Sequence, residues 1–311
     1  MKTSILFALA LGAALPPGAA AQQPGSPPPN RFAATIAPAE RFEIQGMLVE
    51  RHGSKGRPLV LIPGLSSGAW VWQDLVRRFS PDYTVYVVTL PGFDGRPAPA
   101  GAPFLEARAA VAELVTSRRL DKPVLVGHSL GGALAFAVAA DLGNRVGGVV
   151  SLDGLPVLPG TENAPPEQRP QLATGLQARL ASAPPAAYAE QQRQYMRTQG
   201  VLDMGKADDL TPLLLRSDRG AVGAYIADVM TLDLRPELPK ISAPVLVLAP
   251  YFEPDAAQDG LTVGARLEHY RSLLPGLASA DVQPVAPARH FLMIDQPDLV
   301  AEHLRRFLNR R

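Results

Sequence analysis

The chain has no cysteine. That excludes disulfides, thiol nucleophiles and cysteine-ligated metals. A charge bias is also missing: 30 Lys and Arg stand against 29 Asp and Glu, so nothing in the balance points to nucleic acid or an anionic membrane as a partner. Neither phosphate-cradling spacing occurs, G-x-x-x-x-G-K-S/T or G-x-G-x-x-G. There is no internal repeat. The apolar start, Ile5 to Leu15, is about 11 residues against the ~20 of a spanning helix. What the chain does have is a core-forming composition: 47% apolar residues over 311 positions, with 32 prolines that favour long irregular connections.

The first residues read as a processing signal. Lys2 supplies a positive start, Ile5 to Leu15 an apolar stretch, and Ala19-Ala20-Ala21 the small residues a signal peptidase reads. The expectation is a leader over 1–21, cleaved before Gln22, and a periplasmic or secreted mature protein. Residues 22–30, rich in Pro, Gln, Gly and Ser, read as a disordered tether. Cleavage removes Lys2 and no acid, which leaves 29 charges of each sign. No stable membrane insertion is expected after it.

From residue 31 to 311 the chain reads as one domain in which strand and helix signals alternate. That is the signature of an α/β fold with a parallel sheet wrapped by helices. Strands are predicted over Phe42–Glu50, Pro58–Ile62, Thr84–Leu90, Pro123–Val126, Val146–Leu152, Pro244–Leu248 and Ala280–Val285. Helices are predicted over Ala69–Phe79, Pro103–Leu120, from after Ser129 to about Leu142, Val263–Leu274 and Pro297–Leu308. The alternation breaks from Gly154 to about Leu238. There Pro165-Pro166, Pro184-Pro185 and amphipathic segments such as Pro185–Thr198 and Arg219–Thr231 read as a helical insertion.

The chemistry concentrates at Gly127-His128-Ser129-Leu130-Gly131, a G-x-S-x-G stretch between a buried strand and an Ala-rich helix. The chain must reverse sharply there, and a glycine two residues to either side lets strand and helix pass without a Cβ clash. The serine then stands at a helix N-terminus, where free N–H groups and the dipole favour developing negative charge. Ser129 is therefore the candidate nucleophile. Serine needs a base to take its proton. His290 fits, because it follows the last strand and so returns to the sheet edge where Ser129 lies. His52 is placed in an N-terminal turn. His269 and His303 are placed on solvated helix faces, and His128 beside the site without being the base. Asp153, Asp255 and Glu253 all follow strands and all give the order serine, acid, histidine, so the acid stays open among them. For the oxyanion, the N–H of Leu130 follows the nucleophile. A second donor is expected from Leu65, in Pro63-Gly64-Leu65-Ser66-Ser67-Gly68.

With these residues in hand, the chain resembles the α/β-hydrolase superfamily, in its serine-nucleophile, cap-containing branch, over Phe42 to Phe307. The matching stretches are Leu61-Ile62-Pro63-Gly64, Leu90-Pro91-Gly92-Phe93-Asp94, Val126 to Gly132, Pro244 to Leu248 and His290 to Pro297. The resemblance implies an α/β-hydrolase fold, with a mostly parallel eight-stranded sheet flanked by helices. It implies a helical cap over the site at about 154–238, and neither metal nor organic cofactor. Three departures stand out. Pro63-Gly64 replaces a common His-Gly, and Pro250 with extra residues fills a loop that usually carries Gly and then an acid. Asp153 falls where haloalkane dehalogenases place their acid, but those enzymes use Asp as nucleophile, and serine at 129 argues against that activity.

The leading expectation is serine hydrolysis of a carboxylic ester or related acyl bond through an acyl-enzyme, acting on a small, partly apolar molecule. Leu155, Leu158, Tyr188, Tyr195, Met196, Leu213 and Leu214 are the apolar cap residues behind that substrate class. The same triad could serve an aminopeptidase, with Glu162, Glu167 or Glu190 holding the amine, or a C–C hydrolase or a perhydrolase. A non-catalytic periplasmic binding protein on the same scaffold is the other alternative.

Overall fold

A computed structural model describes residues 30–33, 35–277 and 280–309. The expected leader, and all of the expected tether but Asn30, lie outside the described residues. The strands are β1 Glu40–Ile44, β2 Met47–His52, β3 Pro58–Ile62, β4 Thr84–Thr89, β5 Val124–His128, β6 Gly148–Leu152, β7 Val245–Pro250 and β8 Asp281–Val285. They form one eight-stranded sheet in the order β1-β2-β4-β3-β5-β6-β7-β8. β2 runs antiparallel to β1 and β4, and every other neighbouring pair is parallel.

The central strands explain themselves. β5, β6 and β7 are buried along their whole length, and their near-continuous Val and Leu content suits a sheet covered on both faces. The core lies as one apolar layer on each face. Phe104, Val111 and Phe136 belong to one, and Trp70, Trp72 and Phe307 to the other.

The helices are α1 Gln73–Phe79, α2 Pro103–Ser117, α3 Leu130–Leu142, α4 Arg169–Ser182, α5 Pro185–Tyr195, α6 Met204–Leu214, α7 Arg219–Thr231, α8 Glu253–Ala256, α9 Val263–Ser272, α10 Leu292–Asp295 and α11 Pro297–Leu308. α3 is apolar all round and buried from Leu130 to Ala140, as a helix wedged against a sheet must be. Helices α4 to α7 lie between β6 and β7, where the alternation breaks. A π-helical turn at Met196–Gly200 separates α5 from α6.

Three expectations need correction. The single early strand is a hairpin: β1 and β2 are joined by Gln45-Gly46, and both residues take positive φ, at 47° and 78°. That is the geometry two-residue hairpins favour. The first helix begins as a 3-10 turn over Ala69–Trp72 before α1. His52 is the last residue of β2 and buried, not in a turn.

The sheet positions the site through one crowded crossing. A Cβ on Gly127 would lie 2.0 Å from the Gly131 carbonyl oxygen, and one on Gly131 would lie 2.1 Å from that of Ile62. Strand β5, helix α3 and the end of β3 can therefore converge only on glycine. Gly131→Ala is expected to cost about 3 kcal/mol or more, or to prevent folding, because the clash is with backbone that cannot swing away. Denaturant unfolding checks this, and a change within about 0.5 kcal/mol of wild type contradicts the crowding argument.

Candidate active site

Ser129 alone carries the reversal from β5 to α3, at φ 53° and ψ −118°. A non-glycine residue there is strained and persists only where its surroundings hold it. They do: the Ser129 N–H donates to the Leu152 carbonyl at 2.9 Å, and the Ser129 carbonyl accepts from Gly132 at 2.9 Å and Ala133 at 3.2 Å. The side chain stands half-buried at the N-terminus of a thirteen-residue helix.

Asp153 follows β6, also at positive φ, 50°, with its N–H donating to the Leu248 carbonyl at 2.9 Å. Its Oδ2 lies 2.6 Å from Nδ1 of His290. A carboxylate can only accept, so the shared proton sits on Nδ1, and in the neutral form of the ring Nε2 is then the acceptor. The second oxygen, Oδ1, accepts from the hydroxyl of Tyr270 on α9.

The other two carboxylates go elsewhere. Asp255 takes a forked pair of hydrogen bonds from Arg289, at 2.8 Å from Nε and 3.0 Å from Nη2. Glu253 is exposed at the start of α8. The structure therefore brings Asp153 to His290 and leaves Asp255 and Glu253 apart from it.

His128 is fully buried between the Ser129 turn and the His290 loop. Its ring centroid is 4.6 Å from that of His290 and 4.8 Å from that of Phe291. Its Nε2 lies 3.0 Å from the His290 carbonyl, which can only accept, so His128 donates and steadies the backbone of its neighbour. Burial holds its proton affinity well below the ordinary histidine range. The adjacent His290 adds to this, and the carbonyl bond opposes it. Contrary to expectation, His303 is buried; it sits on the inner face of α11. His269 is half-buried.

Leu130 is the first residue of α3, where an N–H has no intrahelical acceptor. Leu65 follows Gly64, and Gly64 runs so close to Ser129 that a Cβ there would sit 3.1 Å from Ser129 Cβ. Both backbone positions thus flank the serine. Ser66 takes φ 59° and its carbonyl accepts from Ser217 Oγ at 3.1 Å, which ties this loop to the segment before α7.

The α4–α7 region meets the site from two sides. The segment before α7 bonds to the loop after β4 as well, with Asp218 N–H donating to the Gly92 carbonyl at 2.7 Å. The π-helical turn bonds instead to the histidine loop. His290 N–H donates to Gln199 at 3.1 Å and Phe291 N–H to Gly200 at 2.9 Å. Arg289 Nη1 reaches the Arg197 carbonyl at 2.7 Å. Asp295 then bridges the two segments, accepting from Leu202 N–H at 3.0 Å and Arg289 N–H at 2.9 Å. Sequence reasoning missed Tyr270, Arg289 and Asp295, and only the aromatic Tyr270 in the polar second half of α9 carried any signal.

Four of the seven apolar residues expected to face a substrate, Leu155, Met196, Leu213 and Leu214, are packed into the core layers. Leu155, Tyr188, Met196, Leu213 and Leu214 are buried, while Leu158 and Tyr195 are half-buried. Tyr195 stands edge-on to His290, with ring centroids 6.3 Å apart. A cavity of about 470 Å³ lies between α5 and the start of α7, lined by Pro185, Tyr188, Ala189, Leu215, Ser217 and Arg219 among others. Of the acids expected to hold an amine, Glu190 is paired with Arg193 on an exposed face and Glu167 is exposed. Glu162 is half-buried and accepts from Gly160 N–H. Among the described residues no cluster of His, Cys, Asp and Glu could hold a metal ion, and no helix is long and apolar enough to cross a membrane.

Residues 59–303 match the family model described as the alpha/beta hydrolase family. The chain belongs to the alpha/beta hydrolase family. Pimeloyl-(acyl-carrier protein) methyl ester esterase of Pectobacterium carotovorum is 29% identical over 131 residues, 42% of this chain and 49% of that protein. The enzyme of the same name from Citrobacter koseri is 34% identical over 131 residues, with the same shares. This chain thus spans about half the length of the curated relatives it matches. Among solved structures it is similar to an enol-lactonase from Burkholderia xenovorans, with TM-score 0.67 and 18% identity over 87% of this chain and 100% of that one. It is also similar to a thermophilic esterase from Thermogutta terrifontis, with TM-score 0.66 and 22% identity over 87% of this chain and 98% of that one. At these identities the likeness is one of fold.

The buried His128 sets a stability trend with pH. The unfolded chain binds a proton at this residue below about pH 6.5 and the folded chain does not, so stability falls as pH drops through that value. Burial depresses His52 in the same direction, while it raises the carboxyls of Asp94 and Asp295, which act with opposite sign. The contribution of His128 is therefore isolated by comparison. Between about pH 7 and about pH 5.5, His128→Gln is expected to lose about 1 kcal/mol less than wild type in denaturant titrations. Equal losses contradict a buried neutral imidazole.

Proposed function

We propose that this protein is a serine hydrolase that cleaves a carboxylic ester or related acyl bond, with Ser129 as nucleophile, His290 as base and Asp153 as the orienting acid. The observation that carries this reading is the 2.6 Å contact of His290 Nδ1 with Asp153, together with a serine at positive φ on the strand-to-helix turn. Membership of the family and curated relatives named as methyl ester esterases support the same bond class.

In this mechanism Ser129 Oγ attacks the ester carbonyl carbon while its proton passes to His290 Nε2. Asp153 holds the imidazole in the tautomer that can accept, and balances the imidazolium that forms. The N–H groups of Leu65 and Leu130 donate to the oxyanion of the tetrahedral intermediate. Collapse breaks the bond to the alcohol oxygen, which leaves with the proton from His290. Water, deprotonated by His290, then attacks the acyl-enzyme and frees the acid and Ser129.

The substrate is a small, partly apolar molecule. The mixed lining of the cavity at Tyr188 and Leu215 favours it, next to the loop that carries Leu65. Export is part of the proposal and rests on Lys2, the apolar stretch to Leu15 and Ala19-Ala20-Ala21.

A fluorescent fluorophosphonate followed by mass is expected to add to Ser129 alone in the wild type and not at all in Ser129→Ala. Asp153→Asn is expected to slow labelling by about 1,000-fold or more while staying folded, and Asp255→Asn and Glu253→Gln by less than about tenfold. A folded wild type that takes no label, or a fast Asp153→Asn, overturns the assignment.

A further inference from the structure

The third member of a triad is usually described by the one oxygen that faces histidine. Here the other oxygen is also spoken for. We propose that Tyr270 is a positioning residue of this site: its buried hydroxyl holds Oδ1 of Asp153, and so sets both the orientation of that carboxylate and how strongly Oδ2 draws on His290. This rests on the reading of Ser129, His290 and Asp153 given above.

Tyr270 comes from α9, a helix whose sequence is otherwise largely polar, Val-Gly-Ala-Arg-Leu-Glu-His-Tyr-Arg-Ser. Its ring is the buried residue of that helix and packs into the same core layer as Leu273, Leu274 and Leu277. For packing alone a phenylalanine would do as well. A buried phenol hydroxyl must find a partner or lose a hydrogen bond to water, and the partner found is the catalytic-site carboxylate. The hydroxyl stays a donor at any working pH, because burial above all, and then the neighbouring Asp153 charge, push its ionisation far up.

The geometry makes the contact consequential. Asp153 sits at a strand end with a positive φ and a short side chain, so a carboxylate held only at Oδ2 could rotate about its last bond. Two donors on opposite oxygens fix the plane. The phenol also draws charge from the carboxylate, which weakens its hold on an imidazolium. Removing the hydroxyl should therefore do two separable things: slow the chemistry by misorientation, and move the acid limb of the rate profile to higher pH. The other titratable or charged groups around the pair are few. Tyr195 approaches from the end of α5, with its ionisation pushed up by burial and by Asp153. Arg266 lies 5.8 Å from the Tyr270 ring on α9, and the His269 ring stands edge-on to it with centroids 6.3 Å apart. His128 packs behind His290, and Arg289 beside it is tied to Asp255. None of these touches Oδ1 among the described hydrogen bonds.

The test uses the full chain and the rate of fluorophosphonate labelling at Ser129 as a function of pH. Tyr270→Phe is expected to label about tenfold more slowly at the plateau, with little change in the reversible affinity for the probe, and with its acid limb at higher pH. Placing 3,5-difluorotyrosine at 270, a stronger donor of nearly the same shape, is expected to move the limb the other way. A role in packing alone moves neither limb. A folded Tyr270→Phe with wild-type rate and limb overturns the proposal, as does movement of both variants in the same direction. Should Tyr270→Phe not fold, the fluorinated protein decides, and an unmoved limb rejects the proposal. Failure of the triad reading looks different: wild type takes no label, or Asp153→Asn labels as fast as wild type, whatever residue 270 is.

Discussion

Everything at this site depends on how closely three backbones can approach. β5, the first turn of α3 and the end of β3 meet where Gly127 and Gly131 leave no room for a methyl group. Because they meet there, Ser129 is pushed to positive φ and its side chain stands clear of the sheet at a helix N-terminus. The same closeness brings Gly64, and with it the loop carrying Leu65, alongside the serine. A looser crossing would keep the same residues in the same order and scatter the groups around Ser129 by an ångström or more, which is enough to spoil preorganised chemistry.

Around that crossing the remaining groups are held by backbone hydrogen bonds more than by side-chain contacts. Asp153 and Ser129 each donate an N–H to the carbonyl of a neighbouring strand end, Leu248 and Leu152. His290 is held through its own N–H and carbonyl, by Gln199 on one side and His128 on the other. Its ring has one hydrogen bond among the described residues, to Asp153, and packs against His128, Tyr195 and Phe291. Under the proposed mechanism this division suits a ring that takes and returns a proton while its main chain stays still.

Much of the fold was legible because its signals are local. Buried central strands read as Val and Leu runs, and G-x-S-x-G between such a strand and an Ala-rich helix carries its own context. The hairpin at Gln45-Gly46 was not legible: glutamine is a weak marker for positive φ, and without a stronger turn signal Phe42–Glu50 reads as one strand. His303 was misplaced because α11 is amphipathic and the histidine falls on its inner face. The acid stayed open for a physical reason. Three carboxylates follow strands in the right order, and what distinguishes them is non-local: Arg289, 34 residues away in sequence, pairs with Asp255, while His290 pairs with Asp153. Tyr270 is likewise separated from Asp153 by 117 positions, and no local pattern links them.

The two-sided attachment of the α4–α7 region bears on how such a chain can be recombined. Residues 197 to 206 are stitched to residues 289 to 295 through Arg289, Asp295, the His290 and Phe291 amides and the Lys206 ammonium on the Ile294 carbonyl. The insertion is therefore not a module with junctions only at its two ends. Exchanging it between relatives while keeping the native histidine loop would break those bonds at His290 itself, and the loop would have to travel with its graft. Sequence drift in the insertion is constrained in the same way: α4 and α7 can vary on their outer faces, whereas the π-helical turn is answerable to a histidine some 90 residues downstream.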